Sequence, residues 1–175
     1  LFFLIFRDDQ PMALNQPFTM GTEPGVPVLH VSHRVCRDSA TGMPFPYTVD
    51  RSFEGRTLKG CGGTPSSLLL GREWVVTDAG TQTGQGVAAG WPLSPLGHNV
   101  TVQFDGKGRV TGMAHCNLFG GIYALTAERL SIGSVAATRR ACPGPAMQGE
   151  QAFLRALATV VGFDVSPAGE LTLST

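Results

Sequence analysis

His115-Cys116 is where a thiol and an imidazole adjoin in this chain, so Cys116 is the first residue to weigh as a nucleophile. A cysteine attacks as its thiolate and needs a base within hydrogen-bond reach. Neighbours on a strand point to opposite faces, which makes His115 a poor base for Cys116. The competing reading is structural. Cys36 and Cys61 are spaced much as Cys116 and Cys142 are, and an even count of four supports disulfides in one of three connectivities. Pairing within each half is the natural choice if each half folds as a unit. Each bridge would then close a loop of about 26 residues, worth roughly 3–4 kcal/mol by loop-closure entropy. Zinc is the rival, but there is no CxxC. His30, His33, His98 and His115 show no ligand spacing with cysteine beyond the adjacent pair. No metal and no cofactor are therefore expected, and disulfides imply an oxidising compartment such as a bacterial periplasm.

Other side chains offer binding more readily than catalysis. Arg139-Arg140 could hold an anion, a lipid headgroup or a glycan. On a strand the two would diverge, which predicts one solvated and one packed against an aromatic ring or carboxylate. Asn117 can cap a turn or reach a ligand. With Tyr123, these make the candidate ligand-binding set: Asn117, Tyr123, Arg139 and Arg140. Asp38, Asp50, Glu54, Glu73, Asp78, Asp105, Glu128 and Glu150 present no spaced acid–base pair. Ser39, Ser66 and Ser67 lack a nucleophile elbow, and Gly106-Lys107-Gly108 is not a phosphate loop. No catalytic residue is assigned, and the expectation is a protein that is not an enzyme.

Formal net charge is zero, with no basic run, so nucleic acid is not an expected partner. No apolar stretch approaches the roughly 18 residues of a membrane span. Leu1 to Phe6 is read as a buried strand in preference to the stub of a signal peptide, since it shows neither a basic leader nor a small-residue cleavage site.

The elements that must position these residues fall into two parts. Gly60 to Ser67 has linker composition, placing a boundary that gives residues 1–67 to a small β-rich, disulfide-tied region and 68–175 to a second domain. In the first part Val26 to His33 and Tyr47 to Phe53 alternate as strands, Glu54-Gly55 turns, and Arg56 to Cys61 returns. In the second, Glu73 to Thr77, Asn99 to Phe104 and Arg109 to Met113 are predicted strands, the last two joined at Asp105-Gly106-Lys107-Gly108. A loop follows, then strands over Ile122 to Leu125 and Leu130 to Ile132. Met147 to Val161 has helical spacing. Phe153, Leu154, Leu157, Val160 and Val161 fall on its apolar face, with Gln148, Glu150, Gln151 and Arg155 on the polar face, Pro145 near the start and Gly162 at the end. Glu170 to Leu173 closes the chain as a strand. This order argues for an α+β fold: a curved, mainly antiparallel, partly barrel-like sheet with one long amphipathic helix, beside a smaller β-rich region.

Trp74, Phe104, the run Gly112 to Tyr123 containing His115-Cys116-Asn117-Leu118-Phe119-Gly120-Gly121, the motif Thr138-Arg139-Arg140-Ala141-Cys142-Pro143, and Glu150 with Phe153, Leu154 and Leu157 occur in an order that resembles the META domain, or HslJ-like, family. The resemblance spans Gly71 to Thr175. Relatives usually carry glycine where His115 stands. Cys36, Asp38, Pro46, Tyr47, Gly60 and Cys61, preceded by Gly21-Thr22-Glu23-Pro24-Gly25, resemble a small domain of bacterial envelope lipoproteins. Its two motifs nearly touch here, implying a shortened or incompletely represented copy. Together the resemblances imply an exported, periplasmic or outer-membrane-associated module, related to heat shock, stress or antibiotic tolerance. It would bind an unknown ligand or protein partner of the cell envelope. The alternatives are an inhibitor of a host lytic enzyme such as lysozyme, or a thiol-dependent hydrolase using Cys116.

Overall fold

The computed structural model describes residues 2–8, 17–21, 25–81, 100–127 and 129–175. The sequence readings at Leu1, residues 22–24, His98, Asn99 and Glu128 lie outside these. The chain opens with β1 (Phe2–Asp8). Next come β2 (Phe18–Met20), β3 (Val28–Ser32), the short pair β4 (Cys36–Arg37) and β5 (Pro44–Phe45), then β6 (Tyr47–Phe53) and β7 (Arg56–Gly62). A 3-10 turn at Pro65–Leu68 leads to β8 (Glu73–Thr81), β9 (Thr101–Phe104), β10 (Arg109–Ala114), β11 (Asn117–Leu125), β12 (Leu130–Ile132) and β13 (Ala136–Ala137). Helix α1 (Gly144–Leu157) and the strands β14 (Gly162–Val165) and β15 (Leu171–Ser174) complete it.

Turn chemistry sets the strand ends. Glu54 and Gly55 have φ of 47° and 76° between β6 and β7, the pair of left-handed residues that a type I′ hairpin requires. Between β9 and β10 the Asp105 carboxylate accepts the main-chain N–H groups of Lys107 and Arg109, and Gly108 supplies a φ of 78°. Gly112 permits close packing inside β10. A Cβ there would lie 2.8 Å from the Phe119 ring and would collide with the Thr101 main chain.

Nine strands form one antiparallel sheet, in the order β12-β11-β10-β9-β8-β1-β15-β14, with β13 added beside β11. Its edges β12 and β14 come into contact, so the sheet curls part-way into a barrel. The expected α+β class holds. The core inside the curl includes Trp74, Leu69, Val102, Val110, Phe153, Leu157, Leu171 and Leu173, all fully or almost fully buried. The Trp74 indole N–H donates to the Leu69 carbonyl at 3.1 Å, which satisfies the one polar atom that its burial would strand.

A second sheet, β2-β3-β6-β7, has a thin interior. Its register puts Phe18, Met20, Leu29, Val31, Val49 and Leu58 on one face, yet Val31 is the one of them that is buried. The β4–β5 pair links the two sheets. Met43, just before β5, enters the main core, and the Arg37 guanidinium meets the Asp164 carboxylate at 2.6 Å.

Several elements differ from the sequence reading. β1 lies between β8 and β15 in the large sheet, so residues 2–8 do not belong with the small sheet despite preceding it. Helix α1 stops at Leu157. Val160 is buried in the turn beyond it, Val161 is exposed, and Gly162 starts β14, a strand whose short run the helical periodicity conceals. The stretch expected as a loop before Ile122 is itself a hairpin, since β10 pairs with β11 from Arg109–Ile122 through Ala114–Asn117.

Candidate binding cleft

The tip of that hairpin places Cys116 and Asn117. The loop is just His115-Cys116, and His115 takes a φ of 69° while Cys116 does not. A two-residue turn with positive φ at its first position is the place that glycine fills most readily. Cys116 then bonds to Cys142, with Cα atoms 6.5 Å apart, and Cys36 bonds to Cys61 across 5.3 Å. No cysteine is free, so the thiolate that a Cys116 nucleophile needs is absent in this state. The paired sulfurs accord with an oxidising, non-cytoplasmic compartment.

Asn117 is 1% exposed, and each of its side-chain hydrogen-bonding positions is used. Its Oδ1 accepts the Thr138 hydroxyl at 2.7 Å and the Arg140 main-chain N–H at 2.6 Å. Its Nδ2 donates to the Arg140 carbonyl at 3.2 Å and to Glu150 Oε1 at 2.9 Å. Glu150 is 4% exposed. Its Oε2 accepts the main-chain N–H of Asn117 at 2.9 Å and of Cys116 at 3.3 Å. This corrects the helix reading, which gives Glu150 to the solvent face. It sits three residues before Phe153 and seven before Leu157, on the side of α1 that packs inward. That spacing is the signal that could have found it. A buried carboxylate without hydrogen bonds would be too costly to keep, and these three N–H donors are what make it tolerable.

The network clamps an otherwise irregular stretch. Thr138, Arg139, Arg140 and Ala141 are all exposed, yet Arg140 is held through both its N–H and its carbonyl, Thr138 through its hydroxyl and its N–H (to the Leu118 carbonyl at 2.9 Å), and Cys142 through sulfur. Between this stretch and α1 runs an open cleft of about 580 Å³, with Val135, Ala137, Ala141 and Met147 among its apolar lining. Arg139 and Arg140 both line it, and neither guanidinium has a hydrogen-bond or ion-pair partner among the described residues. The expectation that one arginine would pack against a ring or carboxylate is not met, because the stretch lies at the rim, where neither side has a partner to offer.

Tyr123 stands apart from the other three. It lies near the far end of β11, its ring edge-on to Phe104 at 5.1 Å and its hydroxyl donating to the Asp105 carbonyl at 2.7 Å. Burial, then the nearby Asp105 charge, pushes its ionisation up. Asp105 itself is held down to about 2, first by the Arg109 main-chain N–H and then by its guanidinium. Gly121 allows a close approach, since a Cβ there would lie 3.1 Å from the Ser134 carbonyl, whereas Gly120 meets nothing nearer than 3.8 Å. The β10–β11 register runs past both without a bulge. Among the described residues no cluster of three or more His, Cys, Asp or Glu could hold a metal ion, and no helix is long and apolar enough to cross a membrane.

The META domain family matches residues 67–175. An NMR structure of a protein from Burkholderia xenovorans is 28% identical, with 63% of this chain and 86% of that chain covered and a TM-score of 0.44. No curated protein matches.

Proposed function

The chain belongs to the META domain family, and on that footing we propose that it is a non-enzymatic, exported module of the cell envelope, serving stress or antibiotic tolerance, whose cleft between Thr138–Ala141 and α1 binds a ligand or a segment of a partner protein. The small sheet, with its resemblance to an envelope lipoprotein domain, is on this reading an accessory region held to the binding domain.

One observation carries the proposal. Four exposed residues that bury almost nothing are fixed by a disulfide and by a buried Asn117–Glu150 network. Core packing gains little from that stretch. A clamp of this kind makes physical sense where the exposed groups must be held ready for something that arrives from solvent. Asn117, in this reading, is a positioning residue, and Arg139 and Arg140 are the groups that make contact.

Amide chemical-shift mapping against a library of small molecules and short peptides tests it. The expected result is a set of saturable ligands whose shifts centre on residues 135–141 and the first turns of α1. Ligands that shift other surfaces only, or none, would overturn it. Thiol titration of the native protein is expected to return zero free thiols, whereas a reactive Cys116 would revive the thiol-dependent hydrolase.

A further inference from the structure

We infer that the cleft takes an oxyanion, a carboxylate or phosphate group, carried on a small apolar body. The inference rests on the reading of the cleft as a binding site and adds the chemistry of what enters.

Charge is distributed unevenly around this cleft. Arg139 and Arg140 both line it, neither guanidinium has an acidic partner among the described residues, and the Arg140 main chain is fixed by Asn117. Helix α1 begins at Gly144, three residues beyond Ala141, and its Met147 and Gln151 line the cleft. Its N-cap residue, Pro143, gives no side-chain cap, and no acidic residue sits in its first turn, so the helix itself does not compensate the positive end of its dipole. Glu150 is the one acid in the lining, and its two oxygens are already occupied by three N–H donors beneath the surface. Two arginines against that one carboxylate leave the lining net positive, and the guanidiniums supply donors. A guanidinium presents planar paired N–H groups that match the two oxygens of a carboxylate or phosphate. The rest of the wall, Val135, Ala137, Ala141 and Met147, has short or flexible apolar side chains that suit a hydrocarbon arm.

Titration of the full protein at low salt with hexanoate, hexyl phosphate and the neutral control hexanamide, followed by amide shifts, tests this. Saturable shifts at residues 137–141 are expected for at least one of the two anions, with the tighter one identifying carboxylate or phosphate as the preferred group. Hexanamide should bind about tenfold more weakly or worse. The double variant Arg139→Gln/Arg140→Gln, at exposed positions that leave the fold intact, should lose about tenfold in anion affinity. Arg139→Lys/Arg140→Lys should recover part of it, since charge returns without the fork. If hexanamide matches the anions and the glutamine variant binds unchanged, the oxyanion falls while the binding cleft stands. If none of the three probes perturbs residues 137–141, both fall.

Discussion

The two disulfides close loops of nearly equal length, with sequence separations of 25 and 26, around different kinds of structure. Cys36–Cys61 ties β4 to β7 in a sheet where Val31 is the buried side chain and Phe18, Met20, Phe53 and Leu58 stay exposed. Cys116–Cys142 sits above a core that already holds Trp74, Phe153, Leu157 and both leucines of β15, and it secures a stretch with no buried side chain of its own. Loop-closure entropy rates the two bridges alike, at about 3.5 kcal/mol each. Packing separates them. The first compensates for a core too small to hold a sheet together, and the second fixes the position of a surface.

Substitutions can break that contrast. The largest loss is expected at Glu150, in the clamp itself. Glu150→Leu leaves the main-chain N–H groups of Cys116 and Asn117 and one N–H of the Asn117 side-chain amide without an acceptor, which should cost about 4 kcal/mol in urea unfolding. A cost below about 1 kcal/mol would show that water reaches these groups and that no buried clamp exists. Next is Cys36→Ser/Cys61→Ser, at about 3 kcal/mol, confined to the small sheet. Hydrogen exchange should speed up across β3, β6 and β7 and leave β8 to β11 protected. Equal loss of protection in both sheets would make them one cooperative unit. Cys116→Ser/Cys142→Ser should cost less, about 1–2 kcal/mol. Thr138–Ala141 can fray without opening the core, and Asn117 still holds Arg140. Equal costs for the two double variants would remove the distinction between the bridges.

Sequence carries the individual strands further than it carries the cleft. Strands bracketed by turn residues, such as β6, β7, β9 and β10, fall within a residue or two of where alternation and Gly or Asp place them. β1 can be read as a strand but not as a partner of β8 and β15, because pairing between residues so far apart in sequence leaves no local mark. The same holds for the site. Asn117, Arg139 and Arg140 can each be picked out by type, but what brings Asn117 to the Arg140 backbone is a contact 23 residues away, and its carboxylate partner lies 33 away on a helix. Glu150 reads as a solvent-face residue because a charge on an inward face is rare enough that type outweighs spacing. Tyr123 joins the others only by nearness in sequence along β11, and six residues of extended strand, roughly 20 Å, separate it from Asn117.

The smallest effects come from the hairpin turns, and they sharpen the same contrast with opposite sign. Among the described residues each sheet has one non-glycine residue held at positive φ in a two-residue turn: Glu54 at 47° in the small sheet and His115 at 69° in the large one. Left-handed backbone costs either side chain about 1 kcal/mol, and part of what a glycine relieves is returned as unfolded-state entropy. Glu54→Asn, which completes an Asn-Gly type I′ turn, and His115→Gly should therefore each stabilise by about 0.5 kcal/mol. Their readouts should differ as the bridges do. Glu54→Asn should slow exchange in β6 and β7 and leave the main unfolding midpoint where it was. His115→Gly acts at the junction of Cys116, Asn117 and Glu150, so it should raise the midpoint of the large sheet itself. A His115→Gly variant that gains nothing would mean that contacts of the imidazole ring already offset the strain of its backbone.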